Sequence, residues 1–245
     1  MKRLHSLKMS SEGVQIDMKH LFVVAHPDDE VLGAGAFIYD SAKRGDEIGV
    51  MVLNTCDTTR YEDKRSQIVE DLNKTHRFLG VSHCFTRAYL DSNFHNENHR
   101  QMVQDIEEVI RSFQPDNIFT QSPGDINTDH YWTAASCMEA FRIWQRGREK
   151  IKPITGLYLM EVQSSTDWAL NPANKKFEPN TYVKVTPDAV QAKVKALGMY
   201  ENVIRPIPHP RSEEAISSLP LLRGAQAGVP LAEAFECVFR TGATI

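Results

Sequence analysis

An uninterrupted apolar run leads directly into a histidine and two adjacent carboxylates in the segment LFVVAHPDDE. Such a run predicts a buried strand, and an open α/β sheet carries its active site at the carboxyl ends of such strands. His26 and Asp29 are three residues apart, so a turn that opens into a helix can direct both side chains to one point. The acids alone also fit helix capping, with Asp28 as N-cap and Asp29 and Glu30 favourable to the helix dipole. Capping gives no role to the histidine.

A second polar segment, SPGDINTDHYWTAA, also follows a short apolar strand and precedes a helical pattern. His130 therefore lies at the end of another strand, on what should be the same edge of the sheet. Catalytic zinc needs about three protein ligands of nitrogen or oxygen type and one open position. His26, Asp29 and His130 supply that set. Asp28, which lies between the first two, is placed to act as a general base.

The motifs that contain these residues resemble those of a known family. The AHPDDE motif after an apolar strand, with a later Asp-His pair, is similar to the LmbE/PIG-L superfamily of zinc-dependent N-deacetylases. The segments GDINTDH, SSTDW, FEPNTYV, PHPRS and RGAQAGVPLAEAF extend the resemblance over roughly residues 19–240. It implies a hydrolase that removes the acetyl group from an N-acetylglucosamine-type amino sugar or its conjugate. It also implies that His26, Asp29 and His130 bind zinc with Asp28 as the base, although another divalent metal suits the same ligands.

Hydrolysis of an amide passes through a tetrahedral oxyanion, which needs a hydrogen-bond donor beside the metal. The leaving amine must also be protonated. Relatives with the motif HPDH assign this work to its first histidine, a position that holds Asn127 here. An asparagine can donate a hydrogen bond but cannot serve as an acid. His209 is the candidate for the second task, because the prolines on both sides of it restrict the backbone. The alternative for His209 is an ordinary surface-loop histidine.

Four further residues are candidates for contacts with the substrate. The resemblance matches Asp91 to an acidic residue that contacts sugar hydroxyls in relatives. Arg65 lies one turn before their substrate-binding arginine, where this chain has Ile68. Trp168 offers the apolar face that carbohydrate sites favour, and Arg211 suits a phosphate or carboxylate. The ordinary structural alternatives are a turn for Asp91, a packing anchor for Trp168 and an exposed charge for Arg211.

The composition indicates a soluble enzyme with one domain. A chain of 245 residues with 41% hydrophobic content can bury a full core, and no linker, low-complexity tract or repeat divides it. We expect residues 1–18 to be a loosely ordered extension without a signal peptide's apolar region, and residues 19–245 to form the deacetylase domain. The net charge of −4 gives no footprint for nucleic acid. No stretch approaches the ~20 apolar residues of a membrane span.

Apolar runs alternate with helical patterns along the chain. This alternation predicts an α/β fold with a Rossmann-like, mostly parallel sheet and helices on both faces. The predicted strands are 20–25, 47–53, 84–88, 117–120, 156–162 and 181–185. The predicted helices are 31–44, 62–79, 100–113, 131–146, 187–201 and 212–223.

Two other functions remain open at the level of sequence. A Rossmann-like sheet followed by Gly33-Ala34-Gly35 suggests a dinucleotide site, but that motif needs its first glycine in the turn directly after the strand. Here the turn contains Asp28 and Asp29, which would repel a pyrophosphate. The missing HPDH histidine is also compatible with a metal-bound sugar-binding protein that has lost turnover.

The four cysteines are far apart and form no CxxC pair, which indicates reduced thiols and a cytoplasmic location. The expected partner is a small amino-sugar substrate. Relatives are often trimers or hexamers, so the resemblance also implies a homo-oligomer. The segment RGAQAGVPLAEAF is the candidate subunit contact.

Overall fold

The computed structural model describes residues 9–10, 13–14, 18–55, 65–146, 151–171, 173 and 175–242. The strands are β1 Met9–Ser10, β2 Gly13–Val14, β3 Lys19–Val24, β4 Glu47–Val52, β5 His83–Thr86, β6 Asn117–Gln121, β7 Gly156–Met160, β8 Thr181–Lys184 and β9 Ala232–Arg240. The helices are α1 Asp29–Arg44, α2 Arg65–Leu79, α3 His99–Phe113, α4 Thr128–Phe141, α5 Ile143–Arg146, α6 Pro187–Leu197 and α7 Glu213–Ala227, with a 3-10 turn at Phe94–Asn96.

Seven strands form one mixed sheet in the order β5-β4-β3-β6-β7-β9-β8. The strands from β5 to β7 are parallel, whereas β9 is antiparallel to both β7 and β8. The chain passes from β3 to β4 on one side, and β6 lies on the other side of β3. The carboxyl ends of β3 and β6 therefore flank a topological switch point, where open α/β sheets bind ligands.

Helices cover both faces of the sheet and bury a large apolar core on each face. Side chains from α1, α2, α6 and α7 pack on one face, and side chains from α3, α4 and α5 pack on the other. Successive residues of a strand point to opposite faces, so β3 places Phe22 and Val24 in one core and Leu21 and Val23 in the other. The predicted Rossmann-like, mostly parallel sheet with helices on both faces is confirmed.

Helix α1 is broken at Ala34, and a carboxylate from β9 satisfies the break. Ala34 has φ −150° and ψ 19°. The main-chain N–H groups of Ala36 and Phe37 donate to the Glu233 side chain at 3.3 and 2.7 Å. Lys193 of α6 donates to the same carboxylate at 2.7 Å, and both charged residues are buried. The amide groups freed by the break therefore keep their partners.

The glycines after β3 serve close packing. A Cβ atom added at Gly33 would lie 3.0 Å from the Cβ of Met160 on β7. At Gly35 the added atom would lie 2.9 Å from Val31 and 3.1 Å from Lys193. Gly33 therefore lets α1 lie close to the sheet and Gly35 lets it lie close to α6, and these contacts give no support to a dinucleotide site.

The structure differs from the predicted elements in several places. The sequence pattern does not predict β9, which lies between β7 and β8, contains the end of the RGAQAGVPLAEAF segment and buries Phe235 in the core. The predicted helix 131–146 begins earlier, at Thr128, and is divided at Arg142. The predicted helix 187–201 ends at Leu197, and the main-chain N–H of Gly198 still donates to the carbonyls of Val194 and Ala196.

Some predictions fall partly outside the described residues. Within the predicted extension 1–18, the structure describes Met18 and the antiparallel β1–β2 pair. Cys56 and residues 62–64 lie outside the described part of the chain. The other three cysteines, Cys84, Cys137 and Cys237, are free thiols. Among the described helices, none combines the length and the apolar character needed to cross a bilayer.

Candidate active site

The polar segments that follow β3 and β6 meet at the carboxyl edge of the sheet. His26 lies in the turn between β3 and α1, Asp29 is the first residue of α1, and His130 lies in the first turn of α4. The Oδ2 atom of Asp29 is 3.3 Å from Nδ1 of His26 and 3.4 Å from Nε2 of His130. The structure therefore brings together the three residues that the sequence predicts as metal ligands.

Each of the two histidines has its other ring nitrogen beside a further carboxylate. Nε2 of His26 lies 3.2 Å from Oδ2 of Asp129, and Nδ1 of His130 lies 2.8 Å from Oδ2 of Asp125. A ring N–H that donates to a carboxylate fixes the tautomer and leaves the opposite nitrogen as an acceptor or metal ligand. This arrangement presents Nδ1 of His26 and Nε2 of His130 to Asp29.

The carboxylates of the cluster are themselves held in place. Asp129 accepts the main-chain N–H groups of Ser92 at 2.6 Å and Phe94 at 3.1 Å. Asp125 accepts the Thr166 hydroxyl at 2.8 Å. Such partners of metal ligands fix the orientation of the rings. Asp125 and Asp129 are not among the residues predicted from sequence. Both precede His130 within GDINTDH, and acids beside a candidate ligand are the signal that identifies them.

The buried carboxylates create a field that favours positive charge. Burial lowers the pKa of His130, but Asp29 and Asp125 raise it to about 9 overall. Burial also lowers the pKa of His26, yet hydrogen bonds to three neighbouring carboxylates bring it well above its usual value. Burial raises the pKa of Asp29, but the charges of the two histidines bring it well below its usual range. A divalent cation placed between these residues would meet the same favourable field.

The donor set of His26, Asp29 and His130 fits a divalent metal. One ligand atom from each residue lies within 4.8 Å of the others. Two imidazoles and one carboxylate match the type of set that catalytic zinc uses with an open fourth position. A second group, His26 with Asp91 and Asp129, meets the same distance limit. Because Asp129 already accepts two main-chain amides, we assign that group to orienting His26.

Asp28 lies beside these residues in a left-handed backbone conformation. Its φ is 103° and its ψ is −28°, a region that residues other than glycine, asparagine and aspartate rarely occupy. Its Oδ2 atom accepts a hydrogen bond from Nη1 of Arg211 at 2.9 Å. Burial raises the pKa of Asp28 to about 7, against the opposing charge of Arg211. A carboxylate with such a pKa suits general base catalysis.

A buried network behind Asp28 supports this conformation. The main-chain N–H of Asp28 donates to Oε2 of Glu30 at 3.2 Å. The other oxygen of Glu30 accepts the Tyr200 hydroxyl at 2.8 Å and Nε2 of His76 at 3.1 Å. Glu30 is fully buried, so its charge requires such partners. Residues from α1, from α2 and from the segment after α6 together fix the main chain of Asp28.

A cavity of about 340 Å³ opens at this cluster. The predicted site residues that line it are His26, Asp28, Asp29, Asp91, Asn127, His130 and Arg211. Asp91 also places Oδ1 3.1 Å from Nε2 of His26. Ile68, the position that the sequence resemblance matches to a substrate-binding arginine, also lines the cavity. Arg65 is the first residue of α2, but its side chain lies outside the described part of the structure.

Asn127 is the N-cap of α4 and presents its amide group to the cavity. Its Oδ1 atom accepts the main-chain N–H of Asp129 at 3.0 Å. This bond distinguishes the oxygen of the side chain from its nitrogen. Nδ2 of Asn127 has no hydrogen-bond partner among the described residues and remains available as a donor.

His209 and Trp168 line a separate open groove beside the cavity. His209 is exposed, and its Nδ1 atom accepts the main-chain N–H of Arg211 at 3.0 Å. Trp168 is 54% exposed. Arg205 lines both the groove and the cavity, so the two spaces adjoin.

The fold and the site define an α/β protein with a candidate His-His-Asp metal centre at the carboxyl edge of a mostly parallel sheet. Residues 21–141 match the family model described as PIG-L: GlcNAc-PI de-N-acetylase. The chain is 26% identical over 133 residues to the uncharacterized deacetylase YaiS of Escherichia coli, an alignment that covers 50% of this chain and 67% of that protein. These matches assign residues 21–141, just under half of the chain, to the PIG-L (LmbE-like) family.

Solved structures of other proteins share this fold. The N,N'-diacetylchitobiose deacetylase from Pyrococcus horikoshii superposes with a TM-score of 0.71 at 20% identity, covering 90% of this chain and 84% of that chain. The 4-carboxy-2-hydroxymuconate hydratase GalB from Pseudomonas putida gives a TM-score of 0.73 at 20% identity, covering 93% and 99%. Because one of these proteins is a deacetylase and the other a hydratase, the fold by itself does not define the reaction.

Proposed function

We propose that this chain is a metal-dependent N-deacetylase that hydrolyses the acetamide of an N-acetylated amino sugar or its conjugate. The observation that carries the proposal is the convergence of His26, Asp29 and His130 in one cavity, with the buried carboxylate of Asp28 beside them. The family model and the deacetylase relative support this class of reaction. Zinc is the proposed metal, because it favours such nitrogen and oxygen ligands.

The proposed roles follow from the positions of the side chains. The metal would supply Lewis acidity for the acetamide carbonyl and would lower the pKa of the attacking water. Nδ1 of His26, Nε2 of His130 and the carboxylate of Asp29 serve as its ligands. Asp28 accepts a proton from the water. Arg211, which binds Asp28 at 2.9 Å, keeps that carboxylate at the cavity.

Asn127 is the proposed donor to the oxyanion. It lines the cavity, and its Nδ2 atom is available because Oδ1 caps α4. A positioned donor of this kind stabilises the tetrahedral intermediate. His209 lines the neighbouring groove, so we propose that Asp28, once protonated, returns its proton to the leaving amine. The predicted role of His209 stays a prediction that a His209→Gln variant tests.

Acetate release from N-acetylated sugars tests the proposed reaction, with N-acetylglucosamine and N,N'-diacetylchitobiose as the first probes. Chelated protein should release no acetate, and added zinc should restore release. Asp28→Asn should keep its metal by elemental analysis and lose ~100-fold or more in kcat. His130→Ala should lose both metal and activity, whereas Asp188→Asn, on the exposed surface of α6, serves as the control. An Asp28→Asn protein with full turnover would refute the role of the base.

The competing functions predict different results in the same experiment. A sugar-binding protein without turnover would bind metal and sugar but release no acetate from any probe. A nucleotide-binding protein would bind its cofactor without metal, although the turn after β3 presents Asp28 and Asp29 where that cofactor needs its pyrophosphate site. Acetate release that depends on metal excludes both.

A further inference from the structure

The groove beside the cavity, called here the side groove, collects exposed apolar side chains. Ile126, Trp168 and Ile207 line it and are 52%, 54% and 64% exposed. Prolines on both sides of His209 complete this wall. Apolar side chains that are exposed together in one concave place mark a binding site more strongly than the same residues scattered over a surface.

The side groove carries positive charge, whereas the cavity is rich in acids. Arg205 lies where the two spaces meet, and it has no ion-pair partner among the residues that the structure describes. The described lining of the side groove contains no aspartate or glutamate. Partial burial and the charges of Arg211 and Arg205 lower the pKa of His209, which agrees with a positive field here. An anion therefore fits the junction better than the cavity.

The side groove begins directly beside the candidate reaction centre. Ile126 on its wall lies between Asp125, which holds a candidate metal ligand, and Asn127, the proposed oxyanion donor. Ser164, also on its wall, accepts a hydrogen bond from Nε of Arg211 at 2.6 Å. The same arginine binds the candidate base. A molecule whose acetamide lies at the candidate metal centre can thus extend into the side groove.

We propose that the side groove binds the group attached to the amino sugar, and that this group consists of an anionic linker followed by an aryl or alkyl part. The linker would pair with Arg205, and the apolar part would pack on Trp168. This inference rests on the proposed deacetylase function. An anion inside the cavity would meet Asp71, Asp91 and Glu201, whereas at the junction it meets a guanidinium.

Four derivatives of N-acetylglucosamine separate the two parts of this proposal: the methyl glycoside, the phenyl glycoside, the 1-phosphate and its phenyl diester. The measured quantity is kcat/KM for acetate release by the zinc-loaded full chain. We expect the phenyl diester to be the best probe. Trp168→Ala should lower kcat/KM about tenfold for the two phenyl probes alone. Arg205→Gln should lower it about fivefold for the two phosphate probes alone.

Two matched variants control for general surface effects. Leu221→Ala removes an exposed apolar side chain of α7, and Arg240→Gln removes an exposed charge at the opposite edge of the sheet, where Arg240 pairs with the first residue of β7. Neither variant should distinguish among the four probes. Equal kcat/KM for all four probes in the unmodified protein would overturn the proposal.

A fluorescence titration separates failure of this inference from failure of the proposed function. Phenyl phosphate and benzoate carry an anion and a ring but no acetamide. Either should quench the fluorescence of Trp168 with saturation, and the stronger of the two identifies the preferred anion. Trp168→Phe should abolish the change and Arg205→Gln should weaken it. Quenching without acetate release from any probe would retain the side groove and refute the deacetylase, whereas absence of quenching would refute the side groove.

Discussion

The neighbours of Asp28 determine both its backbone conformation and the pKa of its carboxylate. A non-glycine residue in an uncommon backbone conformation costs on the order of 1–3 kcal/mol, which the surrounding structure must supply. Here Glu30 accepts the main-chain N–H of Asp28, and Arg211 binds its carboxylate. Burial meanwhile raises the pKa of that carboxylate to about 7. The same short segment therefore positions the candidate base and adjusts its proton affinity.

Asn127→Asp separates the two roles of this side chain. A carboxylate can still accept the main-chain N–H of Asp129 and cap α4, so stability should change little. The Nδ2 donor is lost, so kcat should fall about 100-fold or more if it stabilises the oxyanion. Acetate release and urea unfolding measure the two effects, and Asn127→Ala, which removes cap and donor together, is the comparison. Unchanged kcat in Asn127→Asp would exclude the proposed donor.

Tyr200→Phe tests the network behind Asp28. The variant removes the hydroxyl that donates to Glu30 and keeps the ring. We expect kcat to fall about tenfold, with KM and metal content unchanged, because one hydrogen bond to a charged group is worth roughly 1.5–3 kcal/mol and only part of it reaches Asp28. Tyr182→Phe, whose hydroxyl donates to the carbonyl of Pro179, is the control. Reduced stability with normal kcat would show that Tyr200 has a structural role alone.

The candidate ligands are predictable from sequence because the carboxyl ends of parallel strands lie at the same edge of a sheet. His26 and His130 each follow a buried parallel strand, and β3 and β6 prove to be neighbours. The roles of Asp125 and Asp129 are not predictable in the same way. They depend on which ring nitrogen each carboxylate approaches, and this is a property of the folded geometry.

At the scale of elements, the break in α1 links three parts of the fold. Glu233 of β9 binds the main-chain N–H groups of Ala36 and Phe37 and also Lys193 of α6. The buried ion pair between Glu233 and Lys193 therefore connects α1, α6 and β9. Removal of one member of such a pair leaves the other charge buried without compensation.

Glu233→Gln should destabilise the protein by about 3 kcal/mol, because it leaves Lys193 charged and buried. The free energy of unfolding in urea is the measurement. Glu236→Gln provides a matched control on the same strand. Glu236 is also buried, but its partner Lys175 is largely exposed, so the substitution leaves no unpaired charge in the interior. Equal losses of stability in the two variants would contradict the proposed importance of the buried pair.

The sequence predicts most elements but not β9. Its first residues, Ala232 to Ala234, favour helix over strand by intrinsic propensity. The position between β7 and β8 overrides that preference, because the backbone there finds hydrogen-bond partners on both sides. The ends of α4 and α6 also differ from prediction, since helix termini depend on local caps more than on apolar periodicity.

At the scale of the whole molecule, one buried histidine should make stability fall with rising pH. Burial lowers the pKa of His76, but Cys84 and Glu30 raise it to about 9. Burial and Glu30 raise the pKa of Tyr200, the other titratable partner of Glu30, well above its usual value, so it stays protonated. Stability from a raised pKa is complete below the unfolded value of 6.5 and is lost as pH rises through the folded value.

Urea unfolding between about pH 6 and pH 10 measures this effect. The full shift of His76 corresponds to on the order of 3 kcal/mol. The unmodified protein should lose about that much more stability across this range than His76→Gln, because His26 and His130, whose pKa values are also raised, titrate in both proteins. His76→Gln keeps a donor for Glu30 but cannot titrate, so its stability should depend less on pH. Parallel pH profiles for the two proteins would show that another group controls the loss.

The late position of β9 in the chain has a consequence for biosynthesis. Among the described strands, β8 joins the sheet through β9 alone, although 47 residues separate Lys184, the last residue of β8, from Ala232, the first residue of β9. When β8 has left the ribosome but β9 has not, β8 therefore lacks the strand with which it pairs. The segment containing His26 and His130 can assemble first, and the nascent protein completes its far edge when translation has delivered β9.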